Sequence, residues 1–309
     1  MKPVILVLEN PGNNQEEFLE LAGRSTDKYT FVTSINNISC TDIIGIVHVK
    51  RKLSGEFLTD FPNLKFIATA FTGYDSVDEH YCRNHKIAVY NVPEYSTDSV
   101  AELTIALAIS LLRRIPQGAQ IIQNGGWETV PGLELSNRTV AIIGTGAIGC
   151  RVATLFKAFG CEIRGWSRTR KEAFSSIGGK YFSSISEAVK DAEIVSIHLP
   201  SNENTKGIFN TKELKAMKPE ALLINTARGP VIDEKALIEA LDKKSIGGAA
   251  LDVYDTEPLP ETHPFRSMDN VLALPHIAFK TKEALYRKAQ ITVENIIAFA
   301  ENSSKNRVI

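Results

Sequence analysis

Short apolar runs alternate with amphipathic stretches along most of this chain. Pro3 to Leu8, Tyr29 to Thr33, Ile43 to Val49, Leu64 to Ala70 and Ala88 to Val92 read as strands, with a helix over Glu16 to Ala22. Each strand candidate is brief, apolar and rich in β-branched or aromatic residues. A second series follows. Val140 to Ile143, Glu162 to Trp166, Ile194 to His198, Ala221 to Asn225, Gly248 to Val253 and Val271 to Leu274 read as strands. Ile185 to Lys190, Thr211 to Met217 and Glu234 to Asp242 read as helices between them. Strands alternating with helices predict parallel sheets covered on both faces, with five or six strands in the second series.

The join between the two series has its own signals. Ser96-Thr97-Asp98-Ser99 clusters capping residues, and Ser99 with Glu102 has the spacing of a capping box, so a long helix is predicted from about Ser99. Its apolar positions, Val100, Leu103, Leu107 and Leu111, suit a buried or interface helix. Gly118, Gly125-Gly126 and Pro131-Gly132 predict an irregular crossing, and Asn137 a turn residue with positive φ. A last helix, Glu283 to Ala300, is long enough to return to the first series. At 309 residues two domains are expected. The pattern divides them into a discontinuous unit, 1–98 with 280–309, and an inserted unit, 99–279.

The stretch that organises the second unit is Gly144, Gly146 and Gly149, a G-x-G-x-x-G where a buried strand should turn into a helix. The first glycine permits the tight turn, the second lets backbone N–H groups approach a pyrophosphate, and the third lets the helix pack on the strand. The helix N-terminus favours the anion. An apolar-periodic helix (Ile148, Val152, Leu155, Phe156) and a second strand supply the context that the motif requires. At the end of that second strand an Asp or Glu would bind the ribose 2′-hydroxyl of NAD. The chain has Ser167-Arg168-Thr169-Arg170-Lys171 instead, hydroxyls and guanidinium donors that suit the 2′-phosphate of NADP.

Charge and composition narrow the classes. A net charge of -1 gives no reason to expect nucleic acid or an anionic membrane as a partner. Cys40, Cys82, Cys150 and Cys161 are scattered and read as reduced thiols of a cytoplasmic protein. Val4 to Leu8 is too short for a signal-peptide core. His80, Cys82 and His85 match no standard metal-ligand spacing and lie on what reads as an amphipathic helix, so no metal is expected.

Several motifs in order complete the picture. They are Gly73-Tyr74-Asp75 with Val77-Asp78, Tyr95 to Glu102, the glycine motif, His198-Leu199-Pro200, Asn225 to Gly229, Asp252-Val253 with Glu257-Pro258, and Pro275-His276. Over essentially its full length the chain resembles the NAD(P)-dependent D-2-hydroxyacid dehydrogenases. The resemblance implies an α/β protein of two doubly wound parallel-sheet domains, a Rossmann dinucleotide domain inserted in a flavodoxin-like substrate domain. It implies a catalytic triad of Arg228, Glu257 and His276. The chemistry agrees: reducing a 2-keto acid needs a cation for the carboxylate, a proton donor for the carbonyl oxygen, and a partner that orients the donor.

By the same resemblance, backbone N–H groups at Thr72 and Gly73 hold the substrate carboxylate. Ala147 and Ile148 face the pyrophosphate, and Leu199, Pro200 and Asn204 lie along the adenosine and ribose. Thr226, Ala227 and Asp252 flank the nicotinamide, and His276 and Ala278 also bind the cofactor. The resemblance also implies a homodimer through the Ser99 to Leu112 helix. Two crossings between the domains imply hinges near Pro93 to Asp98 and His276 to Lys282. After His276, Phe279 is similar to the D-lactate dehydrogenase branch and should border the substrate side chain. Ser167-Arg168-Thr169 is similar to the glyoxylate/hydroxypyruvate reductase branch. The expectation is an NADPH-dependent reductase of a small 2-keto acid. The alternatives are an NAD-dependent D-lactate or D-glycerate-type dehydrogenase and, in another class, a non-catalytic dinucleotide-sensing corepressor.

Overall fold

The first apolar run forms strand β1 (Val4–Val7), buried at every position. The computed structural model describes residues 2–36 and 38–309. The chain divides into two units, Met1–Ser96 with Lys280–Ile309, and Thr97–Phe279. In unit 1, β1 is followed by helix α1 (Gln15–Ser25), β2 (Thr30–Val32), β3 (Ile43–His48), α2 (Gly55–Thr59), β4 (Phe66–Thr69), α3 (Glu79–Asn84) and β5 (Ala88–Tyr90). Asn14 starts α1 by accepting the Glu17 N–H at 2.8 Å, and Asp78 does the same for α3 through Tyr81 at 2.9 Å. The five strands are parallel in the order β2-β1-β3-β4-β5.

Unit 2 begins with α4 (Thr97–Leu112) and α5 (Ile115–Gln123). It continues with β6 (Thr139–Ile143), α6 (Ala147–Ala158), β7 (Glu162–Trp166), α7 (Glu172–Ser176), β8 (Lys180–Tyr181), α8 (Ile185–Val189) and β9 (Ile194–Ile197). The last part is α9 (Thr211–Ala216), β10 (Leu222–Asn225), α10 (Glu234–Asp242), β11 (Gly248–Leu251) and β12 (Val271–Ala273). These strands form one parallel sheet in the order β12-β11-β10-β9-β6-β7-β8. Helix α11 (Lys282–Ala300) belongs to unit 1, where Phe299 stacks on Phe66 with ring centroids 4.2 Å apart. Both sheets are apolar on both faces because helices cover each side, as parallel sheets require.

Three details differ from the sequence expectations. Helix α4 is already formed at Thr97, so Ser99 and Glu102 lie inside its first turns and do not cap it; Ser99 is buried. The cluster Ser96 to Ser99 offers several polar starts, and the box spacing alone does not choose among them. The crossing after α4 is partly helical, because α5 tolerates Gly118 and places Pro116 in its first turn, where no N–H is needed. The second sheet has seven strands, since the two-residue β8 adds an edge that is too short to leave a periodic trace. Helix α4 buries Val100, Ile105, Leu107 and Ala108, as its apolar spacing implied. Asn137 does take positive φ, at 61°.

His48 closes β3 with no exposed surface. Its Nε2 pairs with Thr69 Oγ1 at 2.8 Å, and Nδ1 lies 3.2 Å from the Arg51 carbonyl oxygen. Burial pushes its pKa from 6.5 down to about 4, against the opposing pull of Glu9 and the Arg51 carbonyl. The unfolded chain therefore binds a proton that the folded unit excludes, and stability falls as pH falls from about 6.5 toward about 4. His48→Gln should flatten that slope in denaturant titrations of unit 1 across the window. An unaltered slope would remove His48 as its source.

Candidate active site

Strand β6 ends beside both β7 and β9, so the strand order reverses there, and ligands of open parallel sheets bind outside the carboxyl ends at such a point. Gly144 follows β6 with φ +102°, and a Cβ there would stand 2.5 Å from the His198 carbonyl oxygen. A Cβ on Gly149 would lie 1.9 Å from the Gly144 carbonyl oxygen. Both glycines are dictated by the chain packing on itself. Gly146, which caps α6 without a side-chain bond, has open space where a Cβ would project. Unpaired N–H groups at the start of this twelve-residue helix face that space, so the loop fits a dinucleotide pyrophosphate. Ala147 and Ile148 form its first turn.

The loop after β7 carries Ser167, half-buried, and the exposed Arg168, Thr169, Arg170 and Lys171. Tyr181, on β8, ties this loop to the glycine turn. Its hydroxyl accepts the Lys171 N–H at 2.9 Å and shares a 2.6 Å bond with Thr145 Oγ1, while the Arg170 guanidinium lies over its ring. Sequence reasoning missed Tyr181 because nothing local marks it. After β9, Leu199 is buried, whereas Pro200 and Asn204 are exposed on a loop held by Thr205 Oγ1 donating to the Pro200 carbonyl at 2.6 Å. His198 Nε2 bonds Ser196 Oγ at 2.8 Å, and burial of the ring pushes its pKa down to about 3.

The turn after β10 is built by Asn225. Its Oδ1 accepts the Ala227 N–H at 3.0 Å and its Nδ2 donates to the Arg228 carbonyl at 2.9 Å. Buried Thr226 bonds Thr104 of α4 through their hydroxyls at 3.0 Å. Arg228 is half-buried, and its Nη1 donates to the Ala227 carbonyl at 2.8 Å. Gly229 is packed so tightly on the Tyr254 backbone that a Cβ would come within 2.0 Å.

The ends of β11 and β12 hold the histidine. His276 Nδ1 lies 2.6 Å from Glu257 Oε2, and Glu257 Oε1 accepts the Tyr254 N–H at 3.2 Å. His276 itself has φ 53°, a conformation costly for a side chain with a Cβ. Asp252, with no exposed surface, holds it there by accepting the N–H groups of Ile277 and Ala278, each at 2.8 Å. Burial raises the Asp252 carboxyl above its ordinary range, with the two amide bonds and His276 acting against that rise. Tyr254 donates toward the Leu251 and Leu274 carbonyls at 3.0 and 2.8 Å, and burial pushes its phenol up to about 12. The Phe279 ring meets the His276 ring edge-on, 5.7 Å away at 86°.

Unit 2 therefore contains Arg228, Glu257, His276, Phe279 and every expected cofactor residue. Thr72 and Gly73 lie in unit 1, in the loop after β4, where Asn91 Nδ2 donates to the Thr72 carbonyl at 2.7 Å. On α3 the Cys82 thiol is buried, and His85, just past the helix, stacks on Tyr81 with centroids 3.9 Å apart. Among the described residues no cluster of His, Cys, Asp or Glu is arranged for a metal ion, and no helix is long and apolar enough to cross a membrane.

A glycine cradle at the switch point of a parallel sheet is the architecture of a doubly wound dinucleotide-binding domain. A profile described as "D-isomer specific 2-hydroxyacid dehydrogenase, NAD binding domain" matches residues 105–278. Glyoxylate reductase of Thermofilum pendens is 38% identical over 254 residues, 80% of this chain and 75% of that protein. D-lactate dehydrogenase of Aquifex aeolicus, solved with NAD and lactic acid, superposes with a TM-score of 0.87 at 28% identity, covering 99% of this chain and 98% of that one. An NADPH-dependent glyoxylate/hydroxypyruvate reductase of Sinorhizobium meliloti, solved with NADP and malonate, gives 0.84 at 30% identity, covering 97% and 94%. The chain belongs to the D-2-hydroxyacid dehydrogenase family, and is an oxidoreductase dependent on a nicotinamide dinucleotide.

The Asp252 clamp can be tested by itself. Asp252→Asn turns a donor NH2 toward a backbone N–H, and an unsatisfied buried amide costs about 1–3 kcal/mol. The denaturation midpoint of unit 2 should fall accordingly. An unchanged midpoint would mean that the two amide bonds do not hold the His276 loop.

Proposed function

We propose that this protein reduces a small 2-keto acid to the D-2-hydroxy acid, with NADPH as the preferred reductant. The observation that carries the reading is the Glu257–His276 pair at 2.6 Å, on a loop pinned by Asp252, in the unit that carries the glycine cradle and Arg228. When bound, the reduced nicotinamide supplies hydride to the carbonyl carbon. His276 donates a proton from Nε2 to the carbonyl oxygen, since Nδ1 is engaged by Glu257. Glu257 keeps the ring oriented through its contact with Nδ1. Arg228 pairs with the substrate carboxylate and polarises the carbonyl. The N–H groups at Thr72 and Gly73 are assigned to that same carboxylate, and Phe279 to the edge of the side-chain pocket. Leu199, Pro200 and Asn204 are assigned to the adenosine half of the cofactor. Thr226, Ala227, Asp252 and Ala278 are assigned to the nicotinamide half.

The reading includes a homodimer in the cytoplasm. Four free cysteines suit a reducing compartment. Beyond α4, the side chains of Ile115, Ile122, Trp127 and Leu133 are exposed, Trp127 at 84%, and such apolar surface favours association.

Arg228→Ala and His276→Ala should each lower kcat/KM for glyoxylate or hydroxypyruvate by at least ~100-fold, the scale of losing a positioned acid or an oxyanion partner. Near-wild-type turnover in a folded variant would remove that residue from the chemistry. In Glu257→Gln the ring loses the carboxylate that its Nδ1 contacts, so kcat should fall while KM for the coenzyme changes little. An unchanged kcat would break the pairing.

Coenzyme choice is a separate test. Ser167 puts no carboxylate near the 2′-phosphate, and Arg168 offers a charge-assisted bond of about 1.5–3 kcal/mol, which corresponds to a ten- to hundred-fold preference for NADPH. Ser167→Asp with Arg168→Ala should raise KM for NADPH sharply and change KM for NADH less. Equal kcat/KM for the two coenzymes in the wild type would refute the assignment.

A further inference from the structure

The loop after β7 is fastened at both ends to the glycine turn. At its start the Gly144 N–H donates to the Trp166 carbonyl at 2.8 Å. At its end the Lys171 N–H donates to the Tyr181 hydroxyl at 2.9 Å, and that hydroxyl shares a 2.6 Å bond with Thr145 Oγ1. Ser167, Arg168, Thr169 and Arg170 lie between the two fastenings. Gly144 and Thr145 are consecutive in the turn, so one main-chain bond and one phenol hydroxyl close the loop onto adjacent residues.

Tyr181 works from a fixed base. β8 pairs it with Gly165 of β7, and the next residue, Phe182, donates its N–H to the Gly165 carbonyl at 2.9 Å. The Tyr181 ring packs on the fully buried Phe174 ring, with centroids 4.8 Å apart. Thr145, on the other side of the hydroxyl, is buried as well. The Arg170 guanidinium stands 5.5 Å from the centre of the Tyr181 ring, so a cation–π contact adds to the same anchor. The stretch between the fastenings is different in kind: Arg168, Thr169 and Arg170 are exposed.

NADPH carries its pyrophosphate and its 2′-phosphate on one ribose, so their separation is set by covalent geometry. The donors of the loop meet the 2′-phosphate only when the loop stands at the matching distance from the glycine turn. An exposed loop released at Lys171 has to be ordered at binding, and that ordering costs affinity. NADH presents a 2′-hydroxyl in place of the phosphate and forms no charge-assisted bond that a displaced loop would lose.

We infer that Tyr181 is a positioning residue for coenzyme choice. Its hydroxyl spaces the pyrophosphate cradle from the 2′-phosphate loop, and it acts through Ser167 and Arg168. The inference rests on the NADPH reading above and adds to it the residue that holds the two anion subsites in register.

Tyr181→Phe in the full-length protein tests this, because it keeps the ring on Phe174 and the pairing of β8 and removes only the hydroxyl. Titration calorimetry without substrate gives Kd for NADP+ and NAD+, and steady-state kinetics give KM and kcat with NADPH and NADH. Kd for NADP+ and KM for NADPH should rise roughly three- to tenfold, the scale of one net hydrogen bond. The values for NAD+ and NADH should move far less, and the loss with NADPH should fall on KM and not on kcat. In the Ser167→Asp, Arg168→Ala background, Tyr181→Phe should have no further selective effect, since the groups it positions are gone. Equal weakening of both coenzymes would overturn the inference, because a merely structural role predicts that. So would NADP+ binding that Tyr181→Phe leaves unmoved, or the same selective loss in the double-variant background. A wild type that binds NAD+ as well as or better than NADP+ would overturn the NADPH reading, and this inference with it.

Discussion

A single buried carboxylate holds the candidate site in shape. Asp252 closes β11 with no contact with solvent, and both of its oxygens accept backbone N–H groups from the segment that follows β12. Those two bonds over-determine a loop whose histidine sits at positive φ. With the backbone pinned, Glu257 Oε2 contacts the ring at Nδ1. The cost of burying the carboxyl is local, and its return is a histidine that has little freedom to move. Tyr254 adds to this by joining the ends of β11 and β12 through one hydroxyl.

The glycine turn follows the same logic with a different physical source. There the constraint is space. Gly144 and Gly149 approach so closely that any side chain would collide with backbone, and this seats α6 over the reversal of strand order. Gly146 is left facing open space at the N-terminus of α6. Tyr181 then fixes the loop after β7 against this turn, so that the segment carrying Ser167 and Arg168 is anchored at Lys171.

Unit 1 shows how a similar sheet can gather a different chemistry. Its switch point has no glycine cradle. The Glu9 carboxylate organises the turn after β3, and Lys50 and Lys288 are set against Phe71 and Tyr95. The neutral, buried His48 packs beneath that turn. The dinucleotide cradle lies in the other unit.

Much of this was legible in the residues in order. Apolar runs of four to six residues marked nearly every strand, since a sheet covered on both faces needs them apolar throughout. The spacing of Gly144, Gly146 and Gly149 marked the cradle, because backbone geometry there admits no side chain. The order of the motifs around Arg228, Glu257 and His276 marked the family, and the structure brings Glu257 and His276 into contact across nineteen positions. What the tertiary structure alone decided was pairing and choice among local options. Helix α4 starts at Thr97, two residues before the box that the spacing predicted. β8 and its Tyr181 matter through a loop ten residues away, and two residues carry no period. Asp252 reads as one acid among many until the fold sets two amides before it. Lys50 and Lys288 are separated by most of the chain, and no local pattern predicts that they flank the same pair of rings. Local chemistry determines which element forms, whereas contacts between distant residues depend on the closed fold, which alone decides what is buried beside what.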